Sequence, residues 1–195
     1  MTHEAKSYDH LLGKLRGIGD AQLKAHFGLY QGYVKKLNEI SGKLAQADAA
    51  GGNYSFNEFA ELKRREAVPL NGAVLHEMYF DNLGGQAAVD GTFKSKVVES
   101  FGSWDRWVAE VRGTATSTHG WVLTCYDPSN HRLNNYLVGE HHIGLPAGQQ
   151  IVLALDCWEH AYMIDFGTAK AKYLDAFMDN IDWSVVGRRL GAVAR

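Results

Sequence analysis

Cysteine is nearly absent from this 195-residue chain: Cys125 and Cys157 are the only two. Two thiols are too few for a disulfide framework and fit a reducing compartment. Charge of one sign is lacking as well. The 20 lysines and arginines stand against 22 aspartates and glutamates, a formal net charge of −2. That balance gives no electrostatic case for nucleic acid or an anionic membrane as partner. No apolar run approaches the length needed to span a bilayer. The opening residues, Met1-Thr2-His3-Glu4-Ala5-Lys6, are polar and lack the apolar core of a signal peptide, so the expected location is the cytoplasm. Internal repeats and low-complexity segments are missing. So is the pair of Glu-x-x-His motifs that ferritin-like di-iron chemistry places on helices.

What is present is an ordinary globular composition, 46% hydrophobic and 22% charged. The length suffices for one substantial core or two small lobes sharing an interface. Nine histidines and five tryptophans stand out.

Residues 7–19 read as an extended arm with a short helical turn. Asp20 then serves as the expected N-cap of a long helix. Leu23, Phe27, Tyr30, Val34, Leu37, Ile40 and Leu44 recur at helical spacing. His26 and Tyr33, seven residues apart, point roughly the same way along it. Ser55-Phe56-Asn57-Glu58 has the form of a capping box. It opens a second helix whose basic run Lys63-Arg64-Arg65 reads as a solvated face and which is expected to stop before Pro69. A third helix is expected from about Asn71 to Leu83, with His76 on its apolar face and Gly84-Gly85 closing it. Residues 93–101 and 104–111 read as two further helices, the second capped by Ser103. Three strands follow, at residues 120–126, 133–138 and 150–155, with Asp127-Pro128-Ser129-Asn130 as the turn between the first two. A terminal helical region starts near Glu159 and breaks near Gly167 and at Asp182-Trp183.

The fold class is therefore α+β. A helical N-terminal lobe, residues 1–89, precedes a C-terminal lobe, residues 90–195, in which helices surround a three-stranded antiparallel sheet.

The third strand runs out into Asp156-Cys157-Trp158-Glu159-His160-Ala161-Tyr162. Taken alone, this stretch reads as a helix cap followed by a histidine satisfied in the core. His26 and His76 change the weighing, because each lies on or beside a face expected to be buried. Buried charge is costly unless it is paired or binds a metal. Three imidazoles and one carboxylate suit iron, manganese or zinc rather than calcium or magnesium.

At these residues the chain resembles the iron/manganese superoxide dismutase family, over nearly its whole length. Residues 156–162 are similar to the family's Asp-x-Trp-Glu-His-Ala-Tyr signature, which carries the third and fourth ligands. Leu75-His76-Glu77-Met78-Tyr79-Phe80-Asp81-Asn82-Leu83 resembles the second-ligand helix. His26 followed by Tyr33-Val34-Lys35-Lys36-Leu37-Asn38 resembles the first-ligand helix with its gateway tyrosine. Gly120-Trp121 and Asn180-Ile181-Asp182-Trp183 resemble two more family segments.

The resemblance implies conversion of superoxide to dioxygen and hydrogen peroxide. One iron per subunit, or manganese, would be held by His26, His76, Asp156, His160 and a bound solvent. It further implies Tyr33 at the substrate entrance and Trp121 and Trp158 as an apolar wall. A homodimer or homotetramer with Glu159 near the interface is implied too, with neither nucleic acid nor membrane as partner. Iron forms often tune the metal with a Gln four residues before the second ligand, where this chain has Gly72. Manganese forms supply a Gln from the end of the second strand, where Glu140-His141-His142 stands. His142 is the expected substitute, with His141 the alternative. Such a histidine resembles that of archaeal-type and metal-tolerant members, many of which use iron.

Departures also stand out. Relatives take eight steps from first ligand to gateway tyrosine, with a His-His pair between. Here there are seven, with Gly28-Leu29-Tyr30-Gln31, so the helix is expected to be regular where relatives are overwound. Met163 replaces a Tyr that usually meets the lost histidine across a dimer interface. Phe80 and Leu123 replace tryptophans, and Lys170 an arginine. These departures motivate a second reading, a dismutase-fold metal-binding protein with weak or no activity and a binding or structural role. A non-haem iron oxygenase with two histidines and one carboxylate is disfavoured by the fourth ligand.

Overall fold

A computed structural model describes residues 2–194. The arm, with a 3-10 turn at Asp9–Leu11, lies along α1 (Asp20–Leu44), which packs against α2 (Glu58–Asp81) as a helical hairpin. The periodic apolar stripe of α1 is the face it buries: Leu23, Phe27, Tyr30, Val34, Leu37 and Ile40. The helix is unbroken α from end to end, so the seven-residue spacing from His26 to Tyr33 needs no local overwinding. Its N-cap is Gly19 rather than Asp20. The Asp20 carboxylate sits in the first turn, where it suits the helix dipole, and accepts a hydrogen bond from Gly13 N–H at 2.7 Å.

The two helices expected on either side of Pro69 are one. Pro69 lies inside α2, buried. A proline costs a helix interior about 3 kcal/mol. The residues beyond it, Ala73, Leu75, Tyr79 and Phe80, are almost wholly buried, and each large side chain contributes roughly 1.5–3 kcal/mol. Tertiary burial outweighs the local penalty. The capping box does not form either: Asn57 is the cap, its side chain accepting from Ala60 N–H at 3.2 Å. Lys63, Arg64 and Arg65 are exposed, as a solvated face requires.

α3 (Gly91–Phe101) and α4 (Trp104–Thr116) begin at the side-chain caps Asp90 and Ser103. They meet α7 (Trp183–Val193) through an aromatic cluster in which Trp104 and Trp107 lie 4.7 Å apart and Phe93 and Trp183 5.7 Å apart. The sheet has β1 (Trp121–Asp127) between β2 (Arg132–Val138) and β3 (Gln150–Asp156), all antiparallel. Central β1 is buried on both faces from Trp121 to Tyr126. A 3-10 turn at Glu159–Ala161, α5 (Met163–Phe166) and α6 (Lys170–Asp179) lead from the sheet to α7. Among the described residues no helix is long and apolar enough to cross a membrane.

Asn82 ties the hairpin to the sheet. Its amide nitrogen donates to the Ala154 carbonyl at 3.3 Å and its oxygen accepts from Ala154 N–H at 3.2 Å. It thereby satisfies the edge of β3 two residues before Asp156. Arg189 on α7 donates to Asn82 Oδ1 at 3.2 Å and to the Met78 carbonyl at 3.1 Å. The end of α2 and the end of β3 are thus held together by polar contacts as well as by packing.

Candidate metal centre

Two helix faces and one strand end meet at a single point. His26 comes from α1, His76 from α2, Asp156 from the last position of β3 and His160 from the 3-10 turn that follows. One ligand atom from each lies within 4.8 Å of every other, and all but His160 are buried. Asp156 Oδ2 is 3.1 Å from His26 Nε2, 3.1 Å from His160 Nε2 and 3.5 Å from His76 Nε2. Its other oxygen accepts from Trp158 N–H at 2.9 Å, which fixes the carboxylate plane.

His76 reveals what the arrangement is for. Its Nδ1 lies 2.5 Å from the Gly72 carbonyl, which can only accept, so Nδ1 carries the proton and Nε2 presents a lone pair. That lone pair faces Asp156 Oδ2 and, at 3.4 Å, His160 Nε2. Two acceptors facing each other inside a core, as His76 Nε2 and Asp156 Oδ2 do, repel unless a proton or a metal cation lies among them. A backbone carbonyl orienting a ligand histidine through its other nitrogen is also the usual support of a metal site. The donor set of three imidazole nitrogens and one carboxylate oxygen fits iron or manganese.

Protonation agrees. Burial, only partly opposed by Asp156, lowers the His26 pKa. Burial and then the neighbouring His26 push His76 down to about 3. Burial works against the Asp156 charge, but His160 and His26 outweigh it and hold the carboxyl below its ordinary range. At neutral pH the two buried histidines are neutral and the aspartate is ionised, the states metal binding needs.

Protonation also sets an acid limit on the metal-free protein. Below the ordinary histidine pKa of 6.5 the unfolded chain takes up protons that folded His26 and His76 refuse, His76 down to about pH 3. Folding therefore loses at most about 1.4 kcal/mol per pH unit per histidine. The depressed Asp156 pKa acts lower, adding stability above the usual 3.8 and losing it as pH falls through the folded value. The melting temperature of metal-free protein is expected to fall steadily from pH 6.5 to 4. A flat profile over that window would contradict the neutral-histidine assignment.

Beside the cluster, Tyr33 is half-buried, its ring 5.4 Å from that of His76. The side chain at its hydroxyl is His141, with Nε2 at 2.6 Å, and not His142. The isolated bridge between Glu140 and Ile143 turns the chain so that His141 is buried at this point, whereas His142 Nδ1 is buried without a partner. Trp121 Nε1–H donates to His141 Nδ1 at 2.9 Å. An indole only donates, so neutral His141 carries its proton on Nε2 and gives it to the Tyr33 oxygen. The Tyr33 hydrogen is then free to point elsewhere. Burial, with the charges of Asp156 and Glu140, pushes the phenol up to about 12, so it is protonated at neutral pH.

Gly72 explains itself here. A Cβ at this position would meet Tyr33 ring atoms at 2.8 Å, so the tyrosine occupies the space a larger side chain would need. Trp158 stacks parallel to the His160 ring at 6.1 Å. The exposed side of His160 faces a cavity of about 490 Å³ whose lining includes His119, Trp158, Glu159 and Lys170. Gln22 was not singled out from the sequence. Buried one turn before His26, it donates to the His160 carbonyl and accepts from Ile164 N–H at 2.9 Å. It thereby anchors the turn that carries His160. A glutamine four residues before His26, on the same helix face, was the available signal.

Residues 89–189 match the family described as iron/manganese superoxide dismutases, C-terminal domain. The chain belongs to the iron/manganese superoxide dismutase family. An iron superoxide dismutase of Cupriavidus metallidurans is 38% identical, with 100% of each chain covered. One of Aquifex aeolicus is 36% identical over 96% of this chain and 92% of its own. A manganese superoxide dismutase of Haloferax volcanii is 33% identical over 79% of this chain and 77% of its own. As a member of this family the chain is a metal-dependent superoxide dismutase, with iron or manganese as its metal.

Proposed function

We propose that His26, His76, Asp156 and His160 hold one iron ion per chain, with manganese the other metal the site accepts. There the chain turns two superoxide anions and two protons into dioxygen and hydrogen peroxide. The observation that carries the assignment is the convergence of the His76 lone pair, the Asp156 carboxylate and two further imidazoles on one buried point. Held by these residues, iron or manganese would supply the redox chemistry, accepting an electron from one superoxide and returning it to the next. One carboxylate among three neutral imidazoles leaves a loaded site positive, which draws in a small anion.

The chain's own part is binding, exclusion and proton supply. Trp121 and Trp158 wall the site. Trp121 fixes the tautomer of His141, His141 donates to the Tyr33 oxygen, and Tyr33 directs its hydrogen toward the reacting anion. His141 takes the role first expected of His142. Replacing His141 by Leu is expected to cut superoxide removal about a hundredfold, the low end of what a positioned proton donor contributes, with metal content unchanged. Metal analysis beside a pulse-radiolysis assay checks it, and an unaltered rate removes His141 from the mechanism.

Iron is favoured because the full-length relatives from Cupriavidus and Aquifex carry iron in their names and because a histidine rather than a glutamine partners Tyr33. We also read the protein as a cytoplasmic homodimer or homotetramer joined near Glu159, divided internally near residue 90. Two free, buried cysteines support the compartment. Met163 and Ile164, 39% and 59% exposed, adjoin exposed Glu159 and support the interface. Sedimentation should give twice or four times the chain mass, and Ile164→Lys should shift it toward the monomer.

A further inference from the structure

Glu77 follows His76 in α2 and is only 8% exposed. Its carboxylate meets Lys6 Nζ at 2.7 Å, His3 Nε2 at 2.8 Å and Tyr30 Oη, which donates to it at 2.9 Å. Two of the three partners, His3 and Lys6, lie in residues 2–6 at the N-terminal end of the arm, more than 70 residues away in sequence. The arm's own backbone is held the same way, by side chains of α1 rather than by secondary structure. His3 exchanges two hydrogen bonds with Asn38, and Lys6 N–H donates to Tyr30 Oη at 3.0 Å. Tyr8 Oη donates to the Glu77 carbonyl at 3.4 Å.

Beneath this strap lies Tyr30, with no exposed surface, its ring 6.5 Å from that of His76 and roughly parallel to it. A small cavity of about 210 Å³ separates the strap from α1 at Phe27 and Gln31. A helix turns about 100° per residue, so Glu77 is gripped on a side of α2 well away from the one on which His76 faces the ligand cluster. Freeing Glu77 would let this turn of α2 rotate and would loosen the contact over Tyr30, a ring that lies between the arm and His76.

We propose that Glu77 is a positioning residue by which the N-terminal arm latches the α1–α2 hairpin around the metal, so that the Lys6–Glu77 contact sets how fast the metal leaves. The inference rests on His76 being a ligand. Hydrogen bonds to a buried carboxylate are worth enough that losing Glu77 changes an opening equilibrium by about tenfold or more, whereas the half-exposed Lys6 pair, screened by solvent, contributes less.

The test uses the full-length protein loaded with iron, with loss of iron to excess EDTA followed over time. Glu77→Gln and Lys6→Ala are expected to saturate at the same metal content and to show the same visible absorption as the unaltered protein. Glu77→Gln should release iron at least about tenfold faster and Lys6→Ala about threefold faster, both faster than they unfold globally. The double variant should be no faster than Glu77→Gln, because that change already removes the Lys6 interaction. Glu39→Gln, which breaks only the exposed pairs with Lys36 and Lys43 on α1, should leave the rate unchanged. Should Glu77→Gln not fold, Lys6→Ala carries the test, since the Lys6 side chain is half exposed. Unchanged release from the Lys6 variant, or release no faster than global unfolding, overturns the latch. Failure of the unaltered protein to bind metal overturns the ligand assignment instead.

Discussion

Replacing Asp156 by Ala is expected to give a folded chain that holds no metal and removes superoxide no faster than buffer. Asp156 is fully buried, and it is the one anion among the four residues of the cluster. Removing it leaves three imidazoles to bind a cation in a site with no charge to offset it. Changing a group that merely supports a ligand costs about 10- to 100-fold in metal affinity, so losing the one anion of the proposed ligand set costs more. The fold survives because the strand end is held independently. Tyr173 Oη donates to the Asp156 carbonyl at 2.6 Å and Trp121 pairs with Asp156 across the ladder. Both contacts use the backbone at 156 and persist with Ala. Asp156→Asn keeps the shape and removes the charge, so it should lose metal nearly as completely. Elemental analysis with circular dichroism on the same samples separates loss of metal from loss of fold. A metal-replete Asp156→Ala protein would sink the ligand assignment.

Gly120→Ala is expected to destabilise the protein by about 3 kcal/mol, at the upper end of what overpacking costs. A Cβ there would overlap the carbonyl oxygens of Val138 and Gly139, and backbone at the end of β2 cannot step aside as a flexible side chain can. The Gly120 carbonyl also accepts from Cys157 N–H at 2.8 Å, so the strain passes directly to the residue after Asp156. Trp121, which orients His141, is the next residue along. Denaturant titration should show a lower midpoint with little change in slope, and metal should bind more weakly. An unchanged midpoint would mean that β1 and β2 can separate here without cost.

Much of the fold was legible because it follows from periodicity. The 3.6-residue stripe of α1 and the apolar runs of the strands lie within a residue or two of their expected places. Pro69 misled because a local rule met a non-local compensation: burial beyond it keeps α2 whole. The four residues of the cluster could be singled out because titratable side chains on buried faces are costly and need a reason. The choice between His141 and His142 could not be read, since neighbouring residues in a loop have no periodicity to separate them. What separates them is their partners: His141 meets Tyr33 and Trp121, whereas the buried His142 Nδ1 meets none among the described residues. Gln22 and Glu77 were hidden for a related reason. Each is explained by partners 138 and 74 residues away, and no local pattern encodes such contacts.

The most direct test is metal content and superoxide removal measured together on protein reconstituted separately with iron, with manganese and with neither. The expected result is about one metal per chain in the first two, catalysis that appears only with bound metal and is lost to chelator, and higher turnover with iron. Full metal occupancy with no superoxide removal under either metal would contradict it, leaving a dismutase fold that binds metal without turning over its substrate.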